Sequence, residues 1–189
     1  MGEKQVDSAS YYNNGLSWEE FLAGARNNAD RMQTFYDEFD FDEETAVFFN
    51  GRTPLQVLAI VEDWCPDVVQ NASMIAKISD EVPGMELSLV LRDENPELMS
   101  EYLTDGKQRI PMIAFFDMTF RELGRWTGRC RSADEWIFAE VLQNRTRSWA
   151  DMDKAELSAF NEEYDQRFRD TYARETLEEW QHLLHDEDY

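Results

Sequence analysis

Two cysteines, Cys65 and Cys130, hold the nucleophilic chemistry that stands out in this chain, and the surroundings of Cys65 are the more telling. It lies in Ile60-Val61-Glu62-Asp63-Trp64-Cys65-Pro66-Asp67-Val68. The apolar run Val57 to Val61 reads as a buried strand, and the residues beyond Pro66 read as a helix. The thiol is therefore expected where a strand gives way to a helix. At that point unpaired N–H groups and the helix dipole favour negative charge and promote the thiolate. Glu62, Asp63 and Asp67 oppose this by like-charge repulsion, and the sequence alone does not fix the sum. The position three residues on, where a Cys-x-x-Cys pair has its second thiol, is Val68. A lone thiol of this kind forms a mixed disulfide and waits for a second thiol to release it. Alternatively it senses peroxide through a sulfenic acid.

The elements that must position this thiol follow from periodicity. Leu55–Val61 is a strand candidate and Asp67–Ser79 a helix, ended by Pro83-Gly84. Glu86–Leu91 is a second strand. Asn95-Pro96-Glu97 opens a helix, with Asn95 as N-cap and Pro96 at the favoured first position, and it stops near Gly106. Pro111–Phe116 and Arg121–Trp126 read as a hairpin joined by Asp117 to Phe120. Ser132-Ala133-Asp134-Glu135 reads as a capping box opening a helix to Leu142. The order from Leu55 is β-α-β-α-β-β-α, which implies a mixed sheet with helices packed on it. Before it, residues 1–16 are polar and expected to be loose. Ser17-Trp18-Glu19-Glu20 reads as another capping box, and apolar residues from Trp18 to Tyr36 recur at helical spacing. A short helix is expected from Asp42 to Phe49. The acidic tail after Ser148 carries Tyr164, Phe168, Tyr172, Leu177, Trp180, Leu183 and Leu184 at helical spacing. It reads as one or two amphipathic helices packing on the domain or on a partner chain. The expected segments are 1–54, an N-terminal helical extension; 55–147, the core; and 148–189, a C-terminal acidic helical extension.

Composition narrows the partners. The 189 residues hold 18 Lys and Arg against 40 Asp and Glu, a net charge of −22. Such a surface repels phosphate backbones and anionic lipid heads, so neither nucleic acid nor membrane is expected as a partner. No secretory signal is visible after Met1 and no apolar run reaches the length of a membrane span. Two cysteines are too few for a disulfide scaffold or a structural zinc site, and a reducing cytoplasm is the default location. No cofactor is expected: there is no Gly-rich phosphate loop and no Ser-His-Asp set. His182 and His185, with Glu178, Asp186 and Glu187 nearby, could hold a metal, but spacing alone gives no converging ligand set, so they read as a solvated acidic tail and no metal is expected.

The element order, Trp64-Cys65-Pro66-Asp67 at the end of the first core strand, and Arg109-Ile110-Pro111 before the third resemble a thioredoxin. The likeness is to bacterial thioredoxin-family proteins with a Trp-Cys-x-Asp motif and an Arg-Asp-x-Asn-Pro-Glu-Leu-Met stretch, here Arg92 to Met99. It covers roughly Leu55 to Leu142. The resemblance implies an α/β thioredoxin-like fold with additional N- and C-terminal helices. It implies Cys65 as nucleophile, Pro111 as the cis-proline facing it, Ile110 as backbone for a bound peptide, and Trp64, Pro66, Asp67 and Gly128 bordering the groove. Two departures stand out: Val68 replaces the resolving cysteine, and Ala59 stands where thioredoxins carry a buried aspartate. The implied activity is a monothiol thiol-disulfide oxidoreductase in cell redox homeostasis, acting on a low-molecular-weight thiol or a protein disulfide. The alternative is a redox-inactive scaffold or protein-binding module, with homo-oligomerisation through the added helices. In such a fold Cys130 follows the Gly128 loop, and reads either as a resolving partner for Cys65 or as a small packed hydrophobe. Arg109, Arg125, Arg129 and Arg131 read either as ligands for a thiolate or carboxylate, or as surface charge balance.

Overall fold

A mostly apolar run, interrupted by Gln56, makes the central strand. Leu55–Val61 (β1) is buried at every position, as expected of a strand covered on both faces. A computed structural model describes residues 7–143 and 147–185. In it β1 pairs in parallel with Met85–Leu91 (β2) and antiparallel with Met112–Phe116 (β3). The latter pairs antiparallel with Glu122–Thr127 (β4), giving a sheet in the order β2-β1-β3-β4. Thr53–Pro54 and Ile110–Pro111 are cis peptide bonds.

The helices up to β4 are Ser8–Asn13 (α1), Trp18–Gly24 (α2), Ala29–Glu38 (α3), Glu43–Asn50 (α4), Pro66–Glu81 (α5) and Pro96–Glu101 (α6). The capping box at Ser17 is made in full: its hydroxyl accepts the Glu20 N–H and the Glu20 carboxylate accepts the Ser17 N–H. Two expectations need correcting. The stretch before Ser17 is not loose throughout, because Asp7 caps α1 and Tyr12 is buried, its hydroxyl donating to Glu86. Leu16 then exchanges backbone hydrogen bonds with Leu89 at 2.7 and 2.9 Å, covering the outer edge of β2, where an open strand edge would invite pairing with another chain. Residues 1–6 lie outside the described residues. The second correction is that Trp18 to Tyr36 is not one helix. It breaks at 25–28, where Asn28 takes the left-handed conformation (φ 52°), which Asn tolerates better than most residues.

Beyond β4 come Arg131–Trp136 (α7), a π-helical turn at Ile137–Val141, a 3₁₀ turn at Trp149–Asp151, Lys154–Arg167 (α8), a second π turn at Phe168–Tyr172, and Ala173–His185 (α9). Ser132 is not the cap of α7. Cys130 holds that position, and the Ser132 hydroxyl donates instead to Glu175 at 2.8 Å. The tail is a helix with a π insertion, and Tyr164, Phe168, Tyr172, Leu177, Trp180 and Leu184 are buried along it.

The chain divides into two compact units, Met1–Gly128 with Gln181–Tyr189, and Arg129–Trp180. In the first unit, Leu183 lies where a Cβ on Gly124 would fall, and Arg52 Nε donates to the Leu184 carbonyl. In the second, the Trp136, Phe160 and Tyr164 rings stack, with the Arg167 guanidinium 4.5 Å from the Trp136 ring.

Candidate functional site

Cys65 caps α5, with Pro66 in the first helical position, where the missing N–H costs nothing. Its carbonyl accepts the Val68 and Val69 N–H groups, and its own N–H donates to the Glu62 carbonyl at 3.2 Å. The helix axis therefore starts at the thiol. The side chain is 7% exposed, and Sγ lies 3.6 Å from the Ile110 carbonyl oxygen, within reach of a sulfur hydrogen bond. Ile110 is the residue joined to Pro111 through the cis peptide.

Gly128 closes the other side of that proline. Its N–H donates to the Pro111 carbonyl at 2.8 Å, and its φ of +79° suits a residue without Cβ. Asn71 lies below it on α5, fully buried. Its amide donates to the Asp67 carbonyl at 2.8 Å and to the Gly128 carbonyl at 3.5 Å. Cys65, Pro66, Asp67, Ile110, Pro111 and Gly128 are thus brought together by the start of α5, the start of β3 and the end of β4. Trp64 is 44% exposed, and the Arg92 guanidinium sits 4.7 Å from its ring. Arg92 also donates twice to Asp93, at 2.6 and 2.8 Å.

Two carboxylates flank the turn in opposite electrostatic states. Glu62 is buried and raised above the usual carboxylate range. Burial is the main cause; the Asp93 N–H at 2.7 Å opposes it, and the Asp93 charge adds to it. Asp63 lies below the usual range: burial pushes it up, but donors from Asn27 and Arg26 outweigh that. Neither residue's role is visible locally, because their partners lie some 30 residues away in sequence.

Val68 and Ala59 are both fully buried, one on α5 and one on β1. Neither Cys65 nor Cys130 is in a disulfide. Cys130 is 1% exposed, and its thiol is pushed up to about 12 by burial, with the Glu175 and Glu179 charges adding and the Ala133 N–H opposing. The arginines sort into ion pairs. Arg125 chelates Glu122 and lies 4.6 Å from the Tyr102 ring, Arg131 pairs with Glu135, and Arg129 lies 3.8 Å from Asp134. Arg109 is half-buried. His185 is beside the Phe48 ring, and no group of three potential metal ligands occurs among the described residues. Asp186 and Glu187 of the metal reading lie outside those residues. A cavity of about 570 Å³, lined by Tyr12, Trp18, Asp80 and Glu86 among others, includes no residue of the thiol turn.

A family model described as thioredoxin matches residues 15–146. The chain belongs to the thioredoxin family. The match begins before α2 and ends beyond α7. Two solved structures share this thioredoxin-like fold. One is the crystal structure of an HIV epitope scaffold, 14% identical, with a TM-score of 0.67 over 96% of this chain and 99% of the other. The second is a protein of unknown function from Pseudomonas aeruginosa, 15% identical, with a TM-score of 0.66 over the same shares. At these identities the likeness is one of fold. No curated protein matches this thioredoxin-family chain. No helix among the described residues is long and apolar enough to cross a membrane.

Proposed function

We propose that this thioredoxin-family protein is a monothiol thiol-disulfide oxidoreductase of the reducing cytoplasm, with Cys65 as its nucleophile. The observation that carries the reading is the placement of Sγ at the N-terminus of a 16-residue helix, 3.6 Å from the carbonyl beside Pro111. The Cys65 thiolate attacks one sulfur of a disulfide. A new S–S bond forms to Cys65, the old one breaks, and the other sulfur leaves as a thiolate. With Val68 in place of a second cysteine, release falls to an external thiol. That thiol attacks the mixed disulfide, regenerates the Cys65 thiolate and departs as the oxidised product. In this reading Cys130 is a packed residue, since a thiol titrating at about 12 is scarcely ionised at neutral pH. Trp64, Ile110 and Pro111 line the groove that receives the disulfide.

Incubation with oxidised glutathione followed by intact-mass measurement tests this. The expected result is a single glutathione adduct, removed by reduced glutathione, retained in Cys130→Ala and absent from Cys65→Ala. No adduct, or one that persists in Cys65→Ala, overturns it. The second reading, a redox-inactive scaffold, draws on the burial of Cys65 and on Ala59 in place of a buried acid; an inert Cys65 would favour it.

A further inference from the structure

The turn that carries Cys65 is joined to the break between α2 and α3 by a set of hydrogen bonds. The Asp63 carboxylate accepts the Arg26 N–H at 2.6 Å, the Asn27 N–H at 2.9 Å and the Asn27 side-chain amide at 2.9 Å. In return the Asn28 amide donates to the Asp63 carbonyl at 2.8 Å, and Arg31 Nη1 donates to the Asn28 side-chain oxygen at 2.9 Å. Hydrogen bonds to an ionised acceptor are roughly twice as strong as neutral ones, and the low titration of Asp63 keeps this acceptor charged across the neutral range.

Both helices beside the break are already held by packing. Met32 and Phe35 bury the inner face of α3, while Trp18 and Phe21 bury that of α2. The latch is therefore not needed to dock the helices, and its main consequence falls on the other end. Asp63 is two residues from Cys65, within a tight turn closed by the Cys65 N–H on the Glu62 carbonyl. Any drift of Asp63 moves Sγ against Ile110.

We propose that Asp63 is a positioning residue: by latching loop 25–28 it fixes the Trp64-Cys65 turn, and so the line along which Cys65 meets a disulfide. This rests on the reading of Cys65 as a nucleophile. Attack on a disulfide requires the three sulfurs in line, whereas alkylation by a small reagent tolerates a wider range of approach. The ratio of the two rates thus reports alignment.

The test uses the full chain in a Cys130→Ala background, with Asp63→Asn and Asn28→Ala introduced separately. For each, the high-pH limiting rate of Cys65 is measured with oxidised glutathione and with iodoacetamide. The ratio of the first to the second is expected to fall at least about tenfold in Asp63→Asn, since misplacement of about 1 Å costs up to about 10²-fold. A smaller fall in the same direction is expected in Asn28→Ala. General loosening exposes the thiol to both reagents and leaves the ratio in place. Removing the Asp63 charge favours the anionic glutathione and acts against the expected fall. If Asp63→Asn does not fold, Asn28→Ala decides the matter. An unchanged ratio with a reactive parent protein overturns the positioning role alone. A parent inert to both reagents overturns the nucleophile reading, and this proposal with it.

Discussion

At the scale of single residues, the thiol turn combines a helix start that favours an anion with three carboxyl side chains that do not. Glu62 shows the strain of this most clearly. Its carboxylate is buried and raised, with burial the leading cause. A carboxyl group whose folded pKa is raised holds its proton to a higher pH in the folded state than in the unfolded chain. Stability is then lost as pH rises from the unfolded value, about 4.3, through the folded one. Glu62→Gln keeps an oxygen for the Asp93 N–H while removing the buried charge. It is expected to raise the urea midpoint at pH 7 and to leave it unchanged well below pH 4.3, within the error of the method. An equal gain at both pH values would contradict a charge origin. Asp63 has the opposite sign. Its latch is fully made at neutral pH and weakens only as pH falls through its depressed value.

At the scale of elements, α5 ties the site together through Asn71, which joins the carbonyl of Asp67 to that of Gly128. Asn71→Ala removes a fully buried side chain and two donated bonds, and is expected to cost about 2–3 kcal/mol in urea denaturation. A cost under about 0.5 kcal/mol, the scale of a neutral surface change, would contradict its bracing role. Elements set by local signals were legible in the sequence. The fully buried β1 was read at its observed limits, α5 to within one residue of its start and two of its end, and Ser17 made its capping box. Elements set by distant partners were not. The break between α2 and α3 depends on Asp63, and the cap of α7 passes from Ser132 to Cys130 because Glu175 draws the Ser132 hydroxyl away. The same limit applies at the site. Cys65, Ile110, Pro111 and Gly128 were named as candidates from the resemblance, whereas Asn71, Asp63 and the buried state of Glu62 required the fold.

At the scale of the whole molecule, a thioredoxin-family chain carries a net charge of −22, and much of its positive charge is spent in local ion pairs such as Arg125–Glu122 and Arg131–Glu135. The molecular field therefore resists ionisation of any thiol, and does so most at low salt, where the Debye length reaches about 30 Å. In the proposed function, activation of Cys65 comes from the short-range helix start, which acts against that field only at close quarters. The pH dependence of Cys65 alkylation therefore tests the account most directly. It is measured in a Cys130→Ala background at about 0.15 M ionic strength, with Cys65→Ala as the blank. The account predicts a midpoint well below the free-thiol value of about 8.5, together with rapid mixed-disulfide formation. Slow alkylation with a midpoint at or above that value would contradict it, leaving Cys65 a packed residue of a redox-inactive fold.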